Sequence, residues 1–180
     1  MSDYIMLAMR TAKAMPTPAM NFAHAALGLV DESYELLLTN GSLHAIEEIG
    51  DLCWFIALAG ETLGTDPFEE YAAAVADGGA TLAPTTLACA ERALRLASII
   101  AGRAKKWLVY GKDPGEGTAG LLVSLVALAA RAAEIEGHTL ERVQELNIAK
   151  LAARFPDGFS DWNANNRDTV AEYVAMKGAS

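Results

Sequence analysis

A chain of 180 residues can bury one core of ordinary size, and one that is 52% hydrophobic but 7% aromatic, with abundant alanine, favours closely packed helices over a β-sandwich. Its formal charge of −9 is unevenly placed: residues 1–70 carry eleven acids against Arg10 and Lys13, and the remaining acids and bases balance. Such a surface repels nucleic acid and anionic membranes and attracts divalent cations, so neither nucleic acid nor a membrane is expected as a partner.

Helical periodicity runs through most of the chain, and no stretch alternates with the period of a strand. A first helix is expected over Asp3–Met15, stopped at Pro16-Thr17-Pro18. A second runs from about Met20 to Leu38 and ends at the Asn40-Gly41 turn. Ser42 reads as the N-cap of a third, Leu43–Leu63, closed by Gly64. Asp66 reads as the cap of a short helix beginning at Pro67. Asp77–Pro84 reads as a loop, Thr85–Tyr110 as a long helix, and Gly111–Gly117 as a connection rich in glycine and proline. Helices over Thr118–Glu136 and Leu140–Arg154 follow, the latter capped by Thr139. From Phe155 the chain is polar and reads as an extended tail (155–180) with a short helix over Asn165–Met176. A single all-α domain over residues 1–180 is the simplest organisation.

The longest apolar run, Ala119–Ala130, is too short to span a bilayer, and Asp3 precedes any apolar stretch, unlike the basic start of a secretory signal. Cys53 and Cys89 each fall in an apolar helical pattern and read as buried thiols rather than a disulfide or metal pair. A cytoplasmic protein is expected, in the host cytoplasm if the chain is viral. An offset of 73 aligns Ala57, Ala59, Glu61 and Gly64 with Ala130, Ala132, Glu134 and Gly137. Either a second hairpin has kept the packing and lost the acids, or two alanine-rich helices agree by chance.

The informative feature is a pair of acidic spacings, Glu32-x-x-Glu35 and Glu48-x-x-Asp51. Residues three apart share a helical face. The short connection makes the two helices antiparallel neighbours, and the pairs lie symmetrically about the turn near Gly41-Ser42, so four carboxylates can converge. Their stripes continue into Phe55 and Leu58 on one helix and Gly28 and Ala25 on the other, which are packing faces. Four carboxylates there need protons or cations, and hard oxygen ligands suit Mg²⁺ or Mn²⁺. Gly50, costly in mid-helix, lets a ligand or partner helix approach. The bland alternative is a set of solvated or Arg/Lys-paired acids. A di-iron bundle needs Glu-x-x-His, and none of His24, His44 or His138 follows a Glu by three. No P-loop or zinc-type spacing occurs.

These residues resemble the MazG-like all-α NTP pyrophosphohydrolases, whose signature is E-x-x-E, a spacer, then E-x-x-D; here twelve residues separate Glu35 from Glu48. HAALGLVDESYELL and IEEIGDLCWFIALAGETLG are similar to the family beyond the acids. NIAKLAARFPDGFS with NANNRD, and KKWLVYGK, resemble phage-type members, and together the likeness covers about half the chain. The resemblance implies a MazG-like helical bundle with its metal site on an antiparallel hairpin. It implies hydrolysis of a (d)NTP to the monophosphate and diphosphate. Glu32, Glu35, Glu48 and Asp51 would hold two or three Mg²⁺ (or Mn²⁺) ions and serve as the catalytic set. Glu47 would be an outer ligand or base, or simply exposed.

Asn147, Lys150 and Arg154 share one helical face, and the resemblance puts Asn147 and Lys150 at nucleotide-binding positions. Lys105, Lys106 and Lys112 are expected to contact phosphate, as is Arg167, while Arg92 and Arg95 read as a solvated face. Asn21, Phe22 and His24 are candidates for the base. The family also implies a homo-oligomer, dimer or tetramer. The long stretch 77–137, absent from the shortest members, leaves open whether one chain completes the site. Phage-type relatives make (d)GTP the favoured substrate, with dUTP or dCTP, or a broad housecleaning activity, as alternatives. A non-catalytic helical module stabilised by metal, or one that only oligomerises, is the competing class.

Overall fold

The computed structural model describes residues 1–76 and 83–178, and among these every regular element is an α-helix. Helices α2 (Pro18–Leu38), α3 (Ser42–Leu63), α5 (Thr86–Tyr110) and α6 (Thr118–Ile135) form a four-helix bundle. Each touches two neighbours: α2 packs on α3 and α5, and α6 packs on α3 and α5. The core between them is built from Ala25, Leu29, Ile49, Leu52, Ile56, Ala93, Ala97, Ile100, Leu122, Leu125 and Val126, all at 0–1% exposure. Small side chains bring the helix axes close, and the aliphatic residues fill the remaining space. The offset of 73 carries α2 onto α5 and α3 onto α6, pairing hairpin with hairpin.

The other helices attach unequally. Helices α1 (Asp3–Met9) and α7 (Leu140–Arg154) lie on α3, α4 (Pro67–Ala76) lies on α6, and α9 (Thr169–Gly178) lies on α7. A short α8 (Asp161–Asn165) precedes α9. Thr17, Thr85, Thr139 and Ser160 cap α2, α5, α7 and α8 with side-chain bonds to the third residue on. Asp66 accepts from Phe68 and Glu69 amides at 3.1 Å each, as its place before Pro67 leads one to expect. Gly64 closes α3 in the left-handed conformation.

Three local expectations need correction. The first helix stops at Met9, not Met15, because the Ala8 carbonyl accepts from the Thr11 amide (3.0 Å), the Thr11 hydroxyl (2.7 Å) and the Trp54 indole (3.2 Å). The Ala12 amide turns to Met9 instead, which ends the i→i−4 ladder. Ser42 is the first residue of α3 and makes no capping bond; its hydroxyl lies 3.5 Å from the Glu136 carbonyl. The polar tail does not extend away: the Phe159 amide donates to the Arg10 carbonyl at 3.1 Å, and Glu172 and Met176 are buried. Within that tail the short helix expected over Asn165–Met176 begins at Thr169, where Asp168 accepts from the Ala171 amide.

The apolar stretch of α6 extends beyond Ala119–Ala130 and has the length and hydropathy of a membrane span, with half of it buried in the bundle. Cys53 and Cys89 are both buried free thiols. Of the loop expected over Asp77–Pro84, residues 77–82 lie outside the described residues. Ala83 is buried, and its carbonyl accepts from Arg131 at 3.0 Å.

Candidate functional site

The α2–α3 hairpin is drawn together at Gly28, where an added Cβ would fall 2.2 Å from the Phe55 ring. With Gly28 opposite Phe55, Glu32 on the next turn of α2 meets Glu48 and Asp51 on α3. Ligand oxygens of Glu32, Glu48 and Asp51 lie within 4.8 Å of one another. Glu35 is the difference from the expected quartet: it is exposed and lines the cavity's edge outside that cluster. One helical turn carries it toward solvent.

Glu48 is buried and accepts from His44 Nε2 at 2.8 Å. Burial, then the charges of Asp51 and Glu35, push its carboxyl up to about 7. Burial likewise pushes Glu32 up to about 9, reinforced by the charges of Asp51, Glu48 and Glu35. Glu32 Oε2 is buried without a hydrogen-bond partner. Two neighbouring carboxyls whose affinity for protons is raised by burial, one with an orphaned oxygen, are matched to a hard cation that would replace the protons. The donor set therefore fits a hard divalent cation.

Asp51 is fixed from α7. Asn147 Nδ2 donates to one oxygen at 2.9 Å, and Lys150 Nζ donates to the other at 2.5 Å. Tyr4 of α1 donates to Asn147 Oδ1 at 3.0 Å, which orients the amide so that its NH₂ faces Asp51. Gly50 makes room for this side chain: a Cβ there would lie 3.0 Å from that of Asn147. Lys150 is 1% exposed and also reaches Glu47 at 3.3 Å. Asn147 and Lys150 thus orient a carboxylate, and Glu47 is the second partner of a buried ammonium.

Beside this cluster lies a cavity of about 370 Å³. Glu32, Glu35 and Asp51 line it from α2 and α3, and Lys13, Arg154 and Arg167 line it from other elements. His24 lines it too, edge-on to Trp54 and Phe55, and burial lowers the pKa of its imidazole, keeping it neutral. Phe155 and Phe159, whose centroids lie 5.6 Å apart, complete an aromatic rim. One cavity holds carboxylates, cations and aromatic faces.

Several expected contacts are elsewhere. Phe22 is 0% exposed and packs on Trp107, because it shares the core face of α2 with Ala25 and Leu29. Asn21 accepts from the Met15 amide at 3.1 Å and so holds the α1–α2 connection. Lys106 and Lys112 line a separate cleft of about 410 Å³ beside residues 113–117, and Lys105 is exposed and lines neither cavity. The buried face of α5 is Ala93, Ala97, Ile100 and Ala104, which turns these lysines outward. Arg92 and Arg95 are exposed, as expected.

Lys13, Asp31, Trp54 and Glu172 were not among the expected site residues. Trp54 adjoins Phe55 on the acidic stripe, which is a usable signal; Lys13 and Glu172 have none, because chain reversals bring them in. Searches against family models, curated proteins and solved structures gave no match to this chain.

Proposed function

We propose that this chain is a Mg²⁺-dependent nucleoside triphosphate pyrophosphohydrolase of the MazG-like all-α type, with its metal site on the α2–α3 hairpin. The observation that carries the reading is a cavity of about 370 Å³ lined both by Glu32 and Asp51 of the metal-ready cluster, which Glu48 completes from behind, and by the cations Arg154, Arg167 and Lys13. A metal–triphosphate complex has this polarity: divalent cations for the carboxylates and surplus negative charge for guanidinium groups.

Two or three Mg²⁺ or Mn²⁺ ions held by Glu32, Glu48 and Asp51, with Glu35 at the edge, would polarise the triphosphate and supply a nucleophilic water near neutral pH. Asn147 and Lys150 keep Asp51 in a single rotamer, and His44 does the same for Glu48. Arg154 and Arg167 balance the negative charge of the triphosphate as it binds. The oxygen of water bonds to the α-phosphorus as the bond from that phosphorus to the bridging oxygen breaks, giving monophosphate and diphosphate. His24, Trp54 and Phe55 offer a surface for the base.

The motif likeness favours (d)GTP as substrate, with dUTP or dCTP, or broad specificity, as the alternatives. We further propose that the protein works as a homo-oligomer, dimer or tetramer. The test is a panel of NTPs and dNTPs with Mg²⁺ or Mn²⁺, scoring monophosphate and diphosphate separately. Metal-dependent release of both in equal amounts is expected. Release of orthophosphate alone, or metal-dependent thermal stabilisation with no turnover, overturns the reading, the latter in favour of a non-catalytic metal-stabilised module.

A further inference from the structure

The cationic wall of the cavity is organised by one carboxylate. Glu172, on α9, is 4% exposed. Arg154 of α7 donates to both of its oxygens, from Nε at 2.9 Å and from Nη2 at 2.6 Å. Arg167, in the connection before α9, donates from Nη2 at 2.8 Å and from Nε at 3.4 Å. Two guanidinium groups thus share one buried acid, and the group keeps a net charge of about +1. A guanidinium has five N–H donors in a rigid fork, so two directed at Glu172 leave three on each arginine. Both arginines line the cavity that Glu32 and Asp51 also line. Lys13, the third cation there, is held by Asp161 at 2.5 Å.

An arginine free to rotate loses side-chain entropy when it grips a phosphate, and one already fixed by a carboxylate loses less. We propose that Glu172 is a positioning residue that presents Arg154 and Arg167 as a clamp for the two terminal phosphates of the substrate, which makes α9 part of the binding site. The proposal rests on the pyrophosphohydrolase reading and deepens it. The clamp comes from α7 and the connection before α9, whereas the acids come from α2 and α3. The diphosphate half of a nucleotide therefore meets the arginines, while its α-phosphate and base meet the hairpin.

The experiment is calorimetric binding of two probes in Mg²⁺, inorganic diphosphate and dGMP, to wild type, Glu172→Gln and Arg167→Lys. Gln keeps the shape but turns an NH₂ toward an arginine donor; Lys keeps the charge but loses the fork. Diphosphate is expected to bind about tenfold or more weakly to both variants, with dGMP binding within about twofold of wild type. In turnover, KM for the triphosphate rises with kcat little changed. A purely structural staple would weaken both probes alike, and that result, or unchanged diphosphate binding, overturns the proposal. Should Glu172→Gln fail to fold, Arg167→Lys decides, since its side chain is 44% exposed. Loss of diphosphate binding in a variant while wild type shows no turnover would support the clamp and sink the reaction, so the two failures are distinguishable.

Discussion

The two hairpins of the bundle share a core and differ in what they bury besides it. In α2–α3, Asp51, Trp54 and Phe55 face a polar cavity; at the offset of 73 their counterparts in α5–α6 are Ser124, Ala127 and Leu128, which line a shallow cleft with the exposed Arg92 and Arg95. The acidic hairpin also recruits partners that the other lacks. Tyr4 of α1, with Asn147 and Lys150 of α7, stabilises Asp51, and Glu172 of α9 holds Arg154 beside it. Helical packing alone suffices for an apolar pair, whereas half-buried charge needs hydrogen bonds from further elements. Chain beyond the bundle is therefore organised around the acids.

The sharpest way to break this contrast is to change one polar side chain in each hairpin, Glu48 in the first and Ser124 in the second. Glu48→Gln is expected to lower metal-dependent diphosphate release by about a thousandfold or more, the loss of several kcal/mol of transition-state stabilisation, with the fold retained. Ser124→Ala should leave turnover within about twofold. Equal effects at the two sites would mean that the hairpins are not functionally distinct.

Next in size is Asp51→Ala, which strands the Lys150 ammonium at 1% exposure with Glu47 the one remaining ion-pair partner among the described residues. Denaturant unfolding should show a loss of about 3–5 kcal/mol, as for a buried pair stripped of one partner. Asp51→Ala combined with Lys150→Met should recover most of it. Without that recovery, the pair is not what stabilises the α3–α7 contact.

Titration separates the charges by sign. Glu172 is buried, which alone would raise its pKa, yet the hydrogen bonds and charges of Arg154 and Arg167 outweigh this and hold it at about 2. Its folded value lies below the unfolded one, so its contribution, about 3 kcal/mol, is present above pH ~4.5 and is lost as the pH falls toward 2. Glu32 and Glu48 have raised values, so the metal-free folded protein holds extra protons and loses stability as the pH rises from ~4.5 through the range of 7 to 9. Mg²⁺ should raise the melting temperature by a few degrees (about 2–4 °C) and by more at pH 8 than at pH 6. A metal effect independent of pH would remove these acids from the site.

A further effect, of similar size, concerns the close approach itself. Gly28→Ala places a methyl against the Phe55 ring, while the counterpart of Gly28 in the second hairpin is already Ala101. A cost of about 1–3 kcal/mol is expected by thermal melting, and Phe55→Leu in the same chain should relieve it. No cost would mean that the hairpins pack at equal spacing.

Much of this was legible in the residues. The Thr139 cap, the Pro67 start and the Gly64 stop are local chemistry, and they placed those helix ends correctly. Two acidic i,i+3 pairs about a short turn specified which side chains would meet, since helical rise and a short connection leave little freedom. Glu35 escaped this logic, because how far a face turns toward solvent depends on neighbouring helices. The partners of the acids escaped it entirely. Lys13 and Glu172 come from opposite ends of the chain, and Asn147 and Lys150 act on Asp51 because α7 crosses α3 there.

By itself, then, the sequence determined the helices, the uneven charge and the acidic cluster on one hairpin, all of which follow from interactions between residues close along the chain. Only the tertiary structure decided which cations face those acids and which lysines face water. Those pairings depend on how distant helices rotate and cross, and that is settled by burying the most apolar surface while leaving no charge in the interior unpaired.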